Sequence, residues 1–183
     1  MASKHIFVTV GTTKFDPLIS TILRPQTLRV FRSRGYGSVS VQVGNGDVEL
    51  VSGTVEGINI SCFRFLPSIA NEINNADLVI SHAGAGTCLE VLNAQKPLIA
   101  VVNSDLMDDH QAICVNFSQV NTQVELAKKL SDDGHIIFSE GPEKLAVVFQ
   151  NSDFTKLTPF PPGQPQKFAE FLDNFMGFKV STR

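Results

Sequence analysis

The chain has 183 residues, 43% of them hydrophobic and 18% charged, with a formal net charge of −3 at pH 7. That suits one domain with a buried core and a small appendage, and the slight acidity argues against a nucleic-acid binder, which usually shows a basic face. Cys62, Cys88 and Cys114 are odd in number and widely spaced, so they make neither a disulfide framework nor a zinc pattern and fit a reducing, cytoplasmic compartment.

Residues 6–10 predict a buried strand, stopped by Gly11-Thr12-Thr13, and the few apolar residues before that turn are too short for a signal-peptide core. Asp16-Pro17 starts a helix directed toward Arg34, with Pro25 set to break or kink it. Residues 38–43 predict a second strand ending in the turn Gly44-Asn45-Gly46, and 58–65 alternate as a third. Pro67 opens a short helix to about Asn75, 78–81 form a fourth strand, and 85–94 form a helix. A fifth strand over 97–102 leads into the polar loop 103–109, a helix includes 125–130, a sixth strand covers 135–138, and 142–150 are helical. No apolar run reaches the length of a membrane span.

This alternation predicts an α/β domain over 1–150 with a mostly parallel, Rossmann-like sheet covered on both faces. Residues 151–165 contain Pro159, Pro161, Pro162 and Pro165 and predict an extended linker. Over 166–178, Phe168, Phe171, Leu172, Phe175 and Met176 fall at helical spacing, giving an amphipathic helix. Its polar side lacks a basic stripe, so docking on its own domain is expected before membrane insertion.

The most informative stretch is 78–90, where an apolar run ends in Ser81-His82, turns through Gly84-Ala85-Gly86, and opens a helix carrying Thr87 and Glu90. Glycines there let backbone N–H groups approach a ligand, and a helix N-terminus favours negative charge, which makes a place for a phosphate or diphosphate. Glu90 lies about one turn inward, where a carboxylate can accept bonds from sugar hydroxyls. In a parallel sheet the loops following the strands, at Gly11, Gly44, 81–86 and 103–111, converge on one rim. A plain strand-to-helix turn with glycines for packing is the competing explanation.

Other chemistry is weakly supported. Gly84-Ala85-Gly86 lacks the third glycine of a dinucleotide fingerprint, and the first loop has no Walker continuation. Ser81 and His82 are strand neighbours pointing to opposite faces, so they are no nucleophile–base pair. Cys88 opens a helix but is expected to pack. Asp105, Asp108, Asp109 and His110 lack further convergent ligands, so no metal site is expected. Gln111 suits hydroxyl recognition, and His5 and His135 are expected to be structural.

Residues 7–13 with Phe15-Asp16, then Gln42-Val43-Gly44, 78–90, Lys96-Pro97-Leu98 and Leu106-Met107-Asp108-Asp109-His110-Gln111 together resemble, in this order, the small catalytic subunits of eukaryotic UDP-N-acetylglucosamine transferases, which are glycosyltransferase family 28-like. The resemblance implies the donor-binding C-terminal half of a GT-B glycosyltransferase. It implies an inverting, β-1,4-forming transfer of GlcNAc from UDP-GlcNAc to dolichyl-diphosphate-GlcNAc in N-glycan precursor assembly. Gly11, Thr12, Thr13, His82, Gly84, Ala85, Gly86 and Thr87 would surround the donor diphosphate, Glu90 the ribose, and Gln111 with Asp109 or His110 the GlcNAc hydroxyls. No cofactor or metal is implied, and no residue is assigned as catalytic base. The partners implied are a membrane-anchored subunit supplying the acceptor half and a lipid-linked GlcNAc acceptor. The expected location is the cytosolic face of the endoplasmic reticulum, to which a cytoplasmic chain is recruited.

One segment departs from that pattern. Residues 112–124 stand between Gln111 and Glu125-Leu126-Ala127, are β-branched and amide-rich, and predict an insertion of low helix propensity. The rival function is therefore a UDP-sugar-binding variant silenced by the insertion.

Overall fold

The computed structural model describes residues 3–102 and 116–177. Its elements are β1 (Lys4–Thr9), α1 (Asp16–Ile22), α2 (Pro25–Ser33), β2 (Tyr36–Gln42), β3 (Ser52–Val55), β4 (Ile58–Phe63), α3 (Ala70–Asn75), β5 (Leu78–Ser81), α4 (Ala85–Asn93), β6 (Leu98–Val101), α5 (Asn116–Asp132), β7 (Ile137–Ser139), α6 (Leu145–Asn151) and α7 (Pro165–Phe175). The strands form one sheet in the order β3-β4-β2-β1-β5-β6-β7. Every pairing is parallel except β3 with β4. The predicted α/β class and the break at Pro25 both hold.

Strand alternation divides the core in two. Ile6, Val8 and Val10 join Leu18, Ile19, Ile22, Leu28, Phe31 and Phe149 on one face, while Phe7 and Val79 join Ile73, Val91, Ala127 and Leu130 on the other. Chain order decides where the sheet can bind. From β1 the chain winds outward through β2 and β4, then returns to β5 on the other side of β1 and winds outward through β6 and β7. Loops after β1 and β5 therefore leave in opposite directions, opening a crevice at their carboxyl ends.

Three local readings need correction. β3 was not anticipated: Ser52, Gly53 and Thr54 are exposed and carry no apolar signal, and β4 recruits them by antiparallel pairing. The low-propensity reading fails from Asn116 onward, because Asn116–Asp132 is one continuous helix. Propensity is a weak prior, and Ala127 and Leu130, buried against the sheet, anchor a helix that propagates cooperatively. Residues 112–115 lie outside the described ones. The third correction concerns α7, which buries none of its residues, with Phe168 63% and Phe175 77% exposed rather than docked. The proline-rich approach carries the helix off the domain.

The preceding stretch, expected to be an extended linker, includes a 3-10 turn at Phe154–Lys156 and is held against the domain as a strap. Phe154 packs on one core and Phe160 on the other. The Thr158 N–H donates to the Gly134 carbonyl at 2.9 Å, and Gln95 Nε2 donates to the Phe160 carbonyl at 2.9 Å. Phe149 anchors the strap's end, with ring centroids 4.6 Å from Phe31, 5.5 Å from Tyr36 and 5.8 Å from Phe154. Phe149→Ala should cost about 3–5 kcal/mol in denaturant unfolding, since the fully buried ring leaves a cavity bounded by three aromatic side chains.

His5 is structural, as expected. Ser40 donates its proton to Glu72 at 2.8 Å, so it accepts from His5 Nε2 at 2.9 Å, and Ser38 completes the ring at Nδ1 at 2.8 Å. Burial lowers the His5 pKa, opposed by the charges of Glu72 and Asp77. Below the unfolded value of about 6.5 the unfolded chain then binds protons that the native state refuses, so stability falls as pH drops. His5→Gln should show a smaller loss of melting temperature between pH 7.5 and 5.5 than the unsubstituted protein; an unchanged slope would count against this role.

Candidate functional site

Three loops meet at the rim above β1, β2 and β5. The register sets Thr9 opposite both Gln42 and Ser81, so the chain leaves all three strands at one level. After β1 the backbone turns sharply at Gly11, whose φ of +60° suits glycine. Thr13 closes the turn, with its N–H and hydroxyl both donating to the Val10 carbonyl at 3.1 and 2.7 Å. Gly44 lies against that loop so closely that a Cβ there would be 2.4 Å from the Thr13 carbonyl oxygen. Asn45 seals the contact, donating its N–H to Thr13 at 3.2 Å and its side-chain amide to the Thr12 carbonyl at 2.7 Å. Arg64 then caps the Gly46 carbonyl at 2.8 Å, while Lys14 pairs with Asp47 and Asp16.

The loop after β5 is equally tight. Ala83 takes a left-handed φ of +62°, and Gly84 is the extended residue preceding α4. The His82 ring lies between the two loops: a Cβ on Gly84 would be 2.4 Å from its Nε2, and one on Gly11 would be 3.2 Å from its Cε1. Burial lowers the His82 pKa, opposed by the Thr9 carbonyl, so the imidazole is neutral at pH 7. Among the described residues, His82 Nδ1 and Ser81 Oγ are buried side-chain atoms without a hydrogen-bond partner.

The start of α4 is open. Its first intrahelical bond is Cys88 N–H to the Gly84 carbonyl at 2.9 Å, and no side chain caps it. Among the described residues, the N–H groups of Ala85, Gly86 and Thr87 thus have no partner at the positive end of the helix dipole. Ala85 and Gly86 are exposed, and a Cβ on Gly86 would meet nothing within 4 Å. A phosphate can be received there by three backbone donors without displacing a side chain. Glu90 is exposed one turn along the same helix. Cys88 is buried, which pushes its thiol up to about 11 and excludes it as a nucleophile at neutral pH.

The structure therefore gathers Gly11, Thr12, Thr13, His82, Gly84, Ala85, Gly86 and Thr87 on one rim, with Glu90 behind them. Asp109, His110 and Gln111, and the acidic cluster around them, lie outside the described residues. Among the described residues no group of three His, Cys, Asp or Glu side chains could hold a metal ion. Two residues at this rim, which the sequence reading placed in the resemblance but gave no role at the site, are Thr9 and Gln42, both buried and joined by a 2.6 Å hydrogen bond. The signal each gives is a polar residue at the last position of its strand, after Ile6-Phe7-Val8 in β1 and after Val41 in β2.

Comparison with known proteins shows the family of this domain. The chain is 42% identical over 135 residues to the UDP-N-acetylglucosamine transferase subunit ALG13 of Homo sapiens, covering 74% of this chain and 11% of that protein. It thus spans about a tenth of the length of the human and mouse relatives it matches. A solved relative, the NMR solution structure of ALG13, superimposes with a TM-score of 0.63 at 25% identity over 93% of this chain and 95% of its own. MurG of Acinetobacter baumannii superimposes with a TM-score of 0.61 at 23% identity, covering 85% of this chain and 43% of that enzyme, a likeness of fold in which this chain matches one half of a GT-B architecture. The description "Glycosyltransferase family 28 C-terminal domain" fits residues 5–173, and the chain belongs to that family.

Proposed function

We propose that this chain is the donor-binding, catalytic subunit of a two-chain N-acetylglucosaminyltransferase that moves GlcNAc from UDP-GlcNAc to dolichyl-diphosphate-GlcNAc with inversion, forming a β-1,4 linkage. The observation that carries the reading is the uncapped, glycine-lined start of α4 at the crevice between β1 and β5, facing the Gly11–Thr13 turn. An acceptor hydroxyl attacks C1 of the sugar as UDP leaves, and negative charge grows on the diphosphate. The N–H groups of Ala85, Gly86 and Thr87 are already oriented toward that charge and need no reorganisation. Glu90 accepts bonds from the ribose hydroxyls, and Gln111 with Asp109 or His110 faces the sugar. His82 buttresses both diphosphate loops. Backbone dipoles carry the leaving-group charge, so the proposal invokes neither metal nor cofactor.

The same reading requires an acceptor-binding half. A GT-B active site lies in a cleft between two Rossmann-like domains, and this domain is one wall. No helix among the described residues is long and apolar enough to cross a membrane, whereas the proposed acceptor is embedded in one. A membrane-anchored partner at the cytosolic face of the endoplasmic reticulum would supply the acceptor half, and the exposed phenylalanines of α7 are a contact for it.

Glu90→Ala should weaken UDP-GlcNAc binding by about 1–3 kcal/mol in calorimetry while leaving the fold intact, because an exposed carboxylate bonded to hydroxyls contributes to ligand rather than core. Unchanged affinity in a folded variant would remove Glu90 from the site. The purified chain alone should not transfer GlcNAc to a lipid-linked acceptor, and truncation after Gly163 should reduce co-purification with the partner. Efficient transfer by the lone chain would overturn the two-subunit reading.

A further inference from the structure

We infer that Thr9 and Gln42 are positioning residues that hold the donor loops in their binding geometry, a reading that rests on the donor site proposed above. Thr9 ends β1 with no exposed surface, and Gln42 ends β2 with 4%. The strand leading to Thr9 runs through the fully buried Ile6, Phe7 and Val8, and a valine would match threonine's shape there without burying a hydroxyl. A buried hydroxyl is unfavourable unless both its donor and acceptor capacities are used.

Here both are used, and in the direction of the site. The Thr9 hydroxyl donates to Gln42 Oε1 at 2.6 Å and accepts the Gly11 N–H at 3.0 Å. At its φ of +60°, the Gly11 N–H is supplied with this partner by the threonine two residues earlier. The Thr9 carbonyl meanwhile accepts the His82 N–H at 3.3 Å, so one buried residue holds the first loop by its side chain and the second by its backbone. Gly11 in turn backs the His82 ring, and that ring closes on Gly84 at the start of α4. Gln42 stands at the root of the Gly44–Gly46 turn and fixes the threonine hydroxyl's rotation. Fully buried Thr9 acts through Gly11 and His82, which is positioning rather than contact with the donor.

The test compares Thr9→Val, Thr9→Ser and Gln42→Met in the full chain, with two readouts: amide hydrogen exchange at Gly11 without ligand, and UDP-GlcNAc affinity by calorimetry. Thr9→Val should deprotect the Gly11 amide and weaken donor binding roughly tenfold, the scale expected for an orphaned buried donor. Thr9→Ser keeps the hydroxyl and should restore both. Gln42→Met retains the Gly11 bond but frees the hydroxyl to rotate, so it should weaken binding less and keeps the inference testable if Thr9→Val folds poorly. Unchanged affinity in Thr9→Val with faster Gly11 exchange would overturn the inference, as would equal losses in the valine and serine variants. Failure of the unsubstituted chain to bind UDP-GlcNAc would overturn the donor-site reading itself and this inference with it, and it is recognised before any substitution is made.

Discussion

Everything about this site depends on the reversal of winding direction between β1 and β5. Parallel strands deliver their following loops to the same rim, but neighbouring loops usually lean the same way and cover each other. Where the chain winds outward on both sides of β1, the two loops part and leave a crevice floored by strand ends. The apolar alternation that fills both faces of the sheet holds that crevice rigid, because β1 and β5 are packed on both sides. A ligand therefore meets backbone already in place.

At this crevice the groups suited to negative charge are backbone dipoles rather than free cations. Lys14, the cation of the first loop, is paired with Asp47 and Asp16, and His82 is neutral because burial opposes its protonation. Arg64 is engaged with the Gly46 carbonyl, and among the described residues the start of α4 offers its dipole and three N–H groups with no capping side chain. A Ser, Asp or Asn at the position of Gly84 would stabilise an isolated helix start by only a few tenths of a kcal/mol over glycine. It would also fill the space occupied by the His82 ring and occupy donors that an anion needs. Glycine at position 84 is thus explained by the room it leaves for the His82 ring, at little cost to the helix start.

The domain also leaves surfaces that it cannot satisfy alone. Its sheet and strap are closed by mutual packing, with Phe149 at the centre of an aromatic cluster. By contrast α7 presents phenylalanines to solvent after a proline-rich approach. Burial of such a face against another chain would be favourable by the same hydrophobic effect that fills the core. One wall of a cleft and one uncovered helix are both consistent with work done in assembly.

The sequence by itself determined the strand–helix alternation, the helix break at Pro25 and the glycine turns after β1, β2 and β5, because these follow from local rules. Alternating apolar residues, a proline lacking its N–H, and glycines that take positive φ at Gly11 and Gly44 or make room for a ring at Gly84 leave signatures within a few residues. The motif over 78–90 was legible for the same reason, since strand, turn and helix start are contiguous. Tertiary structure alone decided the rest. β3 exists because β4 offers it an edge, and Asn116–Val124 is helical because the docked half of α5 extends into it. The Thr9–Gln42 pair joins residues 33 apart in sequence through strand register, which no local pattern encodes. That His82 lies between Gly11 and Gly84 follows from which strands become neighbours, a consequence of packing the whole sheet rather than of any segment within it.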